Sequence, residues 1–155
     1  MTRIEIQEEK DREIVKNLFD YLFESNIIDK QSITDRTDLK VTGYTSTSQT
    51  GIYNIEIKER TFNSDKYDTS FIEADKYEQL MSDSNYTPLY IVIYTDYIII
   101  WNLNKIDLKS LKKEFKKMNK TTYSTDRIDK VWKEVYHLPI NNNNKKYNRN
   151  TYAVH

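Results

Sequence analysis

Cysteine is absent from this 155-residue chain, so neither a disulfide framework nor a thiolate zinc site can be built, and a reducing compartment is permitted. Histidine is nearly as scarce. Only His137 and His155 carry imidazole, which argues against a histidine-rich zinc centre. Glycine and proline number two each; with so many Ile, Asn, Lys and Tyr residues, this composition points to an AT-rich coding source such as a low-GC bacterium or its phage. Long apolar runs are missing too. The start, MTRIEIQEEKDREIV, lacks the apolar stretch of a signal peptide, and the most apolar segment, Leu89 to Leu103, is broken by Thr95, Asp96 and Asn102. Secretion and membrane insertion are therefore disfavoured, and a cytoplasmic location is expected, in the host cytoplasm if the source is a phage.

Net charge is the last absence: 24 basic side chains balance 24 acidic ones. The balance hides an uneven distribution. Residues 1 to 104 carry 11 basic and 19 acidic groups, whereas residues 105 to 155 carry 13 basic and 5 acidic, so the two segments stand at −8 and +8. A basic C-terminal third can supply the sequence-independent attraction to phosphate that accompanies counterion release, although a solvated basic helix would have the same composition.

The length suits one compact domain, expected over residues 1–140. From about Glu8 to Ser25 the apolar residues Ile14, Val15, Leu18, Phe19, Leu22 and Phe23 recur at helical spacing. Ile27 and Ile28 form a short apolar step. In Asp38 to Tyr44, Leu39 and Val41 alternate with polar neighbours, and in Ile52 to Arg60, Asn54, Glu56 and Lys58 share one face while Tyr53, Ile55 and Ile57 share the other. This period of two predicts a pair of strands joined by the Ser- and Thr-rich turn at residues 46–51. Thr61 to Thr69 reads as a mobile polar loop, and Phe71, Ala74, Tyr77, Leu80 and Met81 as a second helix. Leu89 to Tyr94 and Tyr97 to Leu103 are uniformly apolar and β-branched, as strands buried within a sheet are. Leu108 to Met118 is expected to form a basic helix and Arg127 to Tyr136 a shorter surface helix. The Asn/Lys-rich residues 141–155 hold too few apolar groups to offset chain entropy and read as a disordered tail.

At Asp38 and at Glu56-Ile57-Lys58 the sequence resembles the PD-(D/E)XK nuclease superfamily, which includes restriction endonucleases and Holliday-junction resolvases. The resemblance spans about residues 8 to 103. It implies an α/β fold with a restriction-endonuclease-like αβββαβ core, a central mixed sheet flanked by helices, followed here by C-terminal helices. It also implies a metal-dependent endonuclease that hydrolyses DNA phosphodiesters with Mg²⁺ or Mn²⁺. A hard divalent cation held by oxygen ligands acidifies the attacking water and neutralises charge growing on the phosphate. Asp38 and Glu56 would be its carboxylate ligands and the Ile57 carbonyl a third. Lys58, one pleat beyond Glu56, would orient or deprotonate the water or stabilise the phosphate charge. From the second helix Lys76 is the candidate for an additional catalytic polar residue, with Gln79 as runner-up, and Glu13 is the first helix's candidate. The family's proline before the aspartate is replaced by Thr37, which leaves metal binding intact and the surroundings of the site open.

Other readings account for the same residues. An acid at a strand edge is often a turn residue, and Glu and Lys at alternate positions of a strand often form a surface ion pair worth tenths of a kcal/mol. Yet a sheet holding two strands as apolar as Leu89 to Tyr94 and Tyr97 to Leu103 needs cover on both sides, and charges within a covered sheet suggest a cleft. Three functions stay open: DNA hydrolysis, nucleic-acid binding by an inactive nuclease-like fold, and a structural or interaction role. DNA is the expected partner, with no membrane. A homodimer would present two identical sites to a duplex.

Overall fold

The computed structural model describes residues 2–30, 38–46, 48–119, 130–141 and 144–153. Thr37 and His155 lie outside them. The chain opens with α1 (Arg3–Leu22), started by a capping box in which the Thr2 hydroxyl accepts from the Glu5 N–H and the Glu5 carboxylate accepts from the Thr2 N–H. There follow β1 (Ser25–Lys30), β2 (Leu39–Tyr44), β3 (Gln49–Glu59), β4 (Thr69–Glu73), α2 (Ala74–Met81), β5 (Thr87–Ile93) and β6 (Tyr97–Asn102). After two short 3-10 turns come β7 (Lys112–Asn119), β8 (Lys130–Pro139), β9 (Lys145–Asn148) and α3 (Arg149–Tyr152).

The result is an α/β protein with a mixed six-stranded sheet in the order β1-β2-β3-β5-β6-β9 and a second, three-stranded sheet in the order β4-β8-β7. Among the described strands only β3 and β5 run parallel. A parallel pair needs a crossover, and β4 with α2 supplies it. This crossover places α2 against one face of the large sheet while α1 lies on the other.

Alternation along the strands divides the core into two. Leu39, Val41, Ile55, Leu89, Ile91, Ile93 and Ile98 pack with Ile14, Val15, Leu18 and Phe19 of α1. On the opposite face Tyr90, Val92, Tyr94, Ile99 and Trp101 pack with Tyr77 and Leu80 of α2 and with Ile72, Tyr136 and Leu138 of the small sheet. Burying each large side chain contributes about 1.5–3 kcal/mol. Two hydrogen bonds fasten the small sheet to the large one: the Tyr90 hydroxyl donates to the Phe71 carbonyl at 3.1 Å, and the Trp101 indole to the Pro139 carbonyl at 3.0 Å.

Several expectations need correction. The two expected C-terminal helices are strands. Phe115 lies on β7, and Val131, Trp132 and Val135 lie on β8, paired in antiparallel register from Lys112↔His137 to Asn119↔Lys130. The helical spacing of Leu111 and Phe115 is outweighed by this ladder and by β-branched residues at Val131 and Val135, which suit a pleated surface. Arg127 and Ile128 of the second expected helix lie outside the described residues. The expected second helix is shorter, because Phe71 belongs to β4. Ile27 and Ile28 belong to β1, which pairs with β2. The loop read as mobile is fixed: the buried Ser64 donates its N–H and hydroxyl to Asp96 at 2.8 and 3.1 Å, and the Phe62 ring packs on Tyr94 and Tyr67. Within the expected disordered tail, residues 145–148 form β9 on the edge of β6. The Asn17 amide then donates to the Tyr152 carbonyl at 3.2 Å, and Tyr147 and Tyr152 pack against the α1-side core.

Candidate active site

The β2–β3 hairpin positions the acidic residues. Its register sets Leu39 opposite Ile55 and Val41 opposite Tyr53, which turns the apolar side chains toward α1 and leaves Asp38, Lys40, Asn54, Glu56 and Lys58 for the face beneath α2. Asp38 stands just before the first paired residue of β2. Its N–H donates to the Ile55 carbonyl at 2.9 Å, and its carboxylate oxygen Oδ2 accepts the Ile57 N–H at 2.7 Å. These two bonds fix Asp38 at the mouth of the hairpin and leave Oδ1 for another ligand. The Ile57 side chain packs into the α1-side core, as its place between Glu56 and Lys58 predicts.

Glu56 is 13% exposed at its side chain and meets Lys76 Nζ of α2 at 3.7 Å from Oε1. Burial, and next the charge of Asp38, push its carboxyl up to about 8, against the pull of Lys76 and Lys58. Burial also raises the proton affinity of Asp38, opposed by the Ile57 N–H and then by the charges of Arg12, Lys76 and Lys58. Lys58 is pushed below its ordinary range by burial and then by Arg60, while Glu73, Glu56 and Asp38 act the other way. Asp38 at the entry to β2, Glu56 and Lys58 of β3, and Lys76 of α2 thus gather into one group of charges.

The two weaker candidates fare differently. Glu13 is exposed on α1, and it is the neighbouring Arg12 whose charge reaches Asp38. The side chain of Arg12 is 13% exposed and its Nη1 lies 3.2 Å from Glu9 Oε1. Gln79 lies one turn after Lys76, and its buried Oε1 has no hydrogen-bond partner among the described residues; the same holds for Oδ1 of Asn54, two residues before Glu56. Sequence reasoning missed Arg12, and it missed Glu73, whose Oε1 lies 3.3 Å from Lys133 Nζ and whose charge reaches both Glu56 and Lys58. Glu73 ends β4, where the apolar spacing predicts the start of a helix.

No protein-family model matches the chain, and no curated protein does. Among solved structures it is similar to Hjc, a Holliday junction resolvase from the archaeal hyperthermophile Archaeoglobus fulgidus. The identity is 11%, the TM-score 0.45, and the alignment covers 80% of this chain and 86% of that one.

The donor set fits a hard divalent cation. Asp38 and Glu56 are two partly buried carboxyl groups with raised proton affinity, so a cation would compensate the charge that burial opposes, and the donors they offer are oxygens. Among the described residues no three His, Asp or Glu side chains gather into a metal cage. No helix among the described residues is long and apolar enough to cross a membrane.

Proposed function

We propose that this chain is a single-domain, metal-dependent nuclease with a restriction-endonuclease-like core that hydrolyses DNA phosphodiester bonds. The observation that carries the reading is the gathering of charge at one place: Asp38, Glu56 and Lys58 share one face of the sheet, Lys76 reaches Glu56 from α2 at 3.7 Å, and the charge of Asp38 raises the proton affinity of Glu56 against the pull of Lys76 and Lys58. A surface ion pair would leave Glu56 solvated, whereas here its carboxyl is nearly buried.

Asp38 and Glu56 would hold a Mg²⁺ or Mn²⁺ ion together with the Ile57 carbonyl, and that ion supplies an activated water and a counter-charge for the phosphate. Lys58 is suited to proton handling because burial has already weakened its hold on the proton. In its protonated form it stabilises negative charge on the phosphate oxygens. Lys76, 3.7 Å from Glu56 and 39% exposed at its side chain, would lend positive charge to the phosphate from the α2 side. Arg12 adds positive charge that reaches Asp38 from α1.

The test is cleavage of supercoiled, linear and branched DNA with Mg²⁺, Mn²⁺ or EDTA, comparing the native chain with Asp38→Ala and Lys58→Ala. Cleavage that needs the cation and falls by about 100-fold or more in Lys58→Ala is the expected result. No cleavage of any substrate, together with no Mn²⁺ binding by calorimetry, would overturn the reading in favour of a binding or structural protein.

A further inference from the structure

β8 is longer than the strand it covers. β4 pairs with Val135 to Pro139, so among the described residues Lys130 to Glu134 have β7 alone as strand partner and form a two-stranded ribbon with Phe115 to Asn119. Large apolar side chains on such a ribbon would ordinarily turn inward. Here Trp132 is 69% exposed and Phe115 67%. The register sets Phe115 opposite Glu134 and Lys117 opposite Trp132, so the two rings lie diagonally on one face, the spacing of neighbours that long side chains can bridge. Neither ring has an aromatic partner among the described residues.

Lysines surround them. β7 and β8 together hold six, Lys112, Lys113, Lys116, Lys117, Lys130 and Lys133, against Glu114 and Glu134, so these strands carry +4 in a chain of zero net charge. Lys113, Lys117 and Lys130 share the face of the two rings. The root of the ribbon borders the candidate active site: Lys133 on its opposite face is paired with Glu73 at 3.3 Å, and Glu73 leads directly into α2, which carries Lys76.

We propose that this face of the β7–β8 ribbon is a docking surface for unpaired DNA, with Phe115 and Trp132 stacking on bases and Lys113, Lys117 and Lys130 contacting phosphates. Exposed rings amid cations match a strand whose bases are free to stack and whose backbone is anionic. A second copy of the ribbon is the poorer occupant, because two surfaces of the same positive sign repel. The inference deepens the nuclease reading, on which it rests: it gives the substrate single-stranded character.

The experiment measures binding in EDTA, where no hydrolysis occurs, so it is independent of the cleavage assay. Labelled single-stranded, forked and fully paired DNA are titrated against the native chain, Phe115→Ala/Trp132→Ala and Lys113→Gln/Lys117→Gln. Both aromatic positions are mostly exposed, so the fold tolerates their truncation, which circular dichroism checks. The aromatic variant should lose about tenfold or more in affinity for single-stranded and forked DNA, with little change for the duplex. The lysine variant should flatten the salt dependence of single-strand binding by a log–log slope of about 1.4. Trp132 also reports directly: Trp101 is buried, so quenching of native fluorescence by single strands should vanish in Trp132→Phe. Unchanged single-strand affinity in the aromatic variant overturns the inference, even if cleavage still depends on Asp38. A dimer in sedimentation that only the aromatic variant dissolves overturns it too, in favour of a contact between copies. If binding follows the ribbon while no substrate is ever cut, the docking surface stands and the hydrolase reading falls.

Discussion

Replacing Glu56 by Gln should make the cation-free protein more stable, and the structure gives the size. The Glu56 carboxyl titrates near 8 when folded, against an ordinary value of 4.5. A carboxyl whose folded value is raised binds more protons folded than unfolded between those limits. Its contribution is therefore fully present below pH 4.5 and is lost as pH rises toward 8. At pH 7 the unfolded chain has ionised this group while the folded chain keeps it neutral, which costs the native state about 3 kcal/mol relative to a group that never ionises. Gln keeps the shape and removes that cost. For a domain of this size the gain corresponds to roughly 6–12 °C in Tm. The assay is thermal unfolding by circular dichroism in EDTA at pH 5, 6, 7 and 8. The difference between Glu56→Gln and the native chain should be small at pH 5 and widen with pH. Added Mn²⁺ should then raise the Tm of the native chain alone, because a cation takes over the charge compensation that the proton supplied. Parallel pH profiles, or a variant less stable than the native chain at pH 8, would refute the reasoning; the second outcome would mean that the Lys76 ion pair outweighs the burial of charge.

A second buried acid should behave alike. Asp11 is pushed up to about 8 by burial and by its hydrogen bond with Glu59, and Gln7 donates to both carboxyl groups. Its contribution is present below pH 3.8 and is lost toward pH 8, so Asp11→Asn should flatten the fall in stability over that range, read from urea unfolding at several pH values. At Gly43 an added Cβ would stand 2.7 Å from the Phe23 ring, and that ring is held by stacking on Phe19 and by Tyr53. Gly43→Ala should destabilise the protein by about 1–3 kcal/mol, measured as a lowered urea midpoint with an unchanged slope.

The elements legible in the sequence are those whose pattern is local. Alternation announced β2 and β3 at Leu39, Val41, Ile55 and Ile57, and it put Glu56 and Lys58 on one face. Helical spacing announced α1 through Ile14, Val15, Leu18 and Phe19, all of them buried. What was illegible depends on partners distant in sequence. Lys112 to Asn119 has no alternation of apolar and polar residues, and its strand state comes from pairing with residues 130–137. Residues 145–148 are polar but lie beside β6, whose backbone groups they satisfy. Arg12 could not be preferred to Glu13 without knowing which side of α1 faces the hairpin mouth, although Ile14, Val15 and Leu18 did mark the buried side.

The β9 strand has a consequence for how the protein is made. β6 is almost wholly apolar and carries Ile98 and Ile99 fully buried, and its outer edge is paired by the four residues of β9, with Arg149 donating to the carbonyls of Tyr94 and Asp96. On the ribosome, residues 145–149 emerge last among these parts. Until then the large sheet presents an open, hydrophobic edge of the kind that recruits other strands. The closing segment thus covers an edge that would otherwise be open to pairing by another strand.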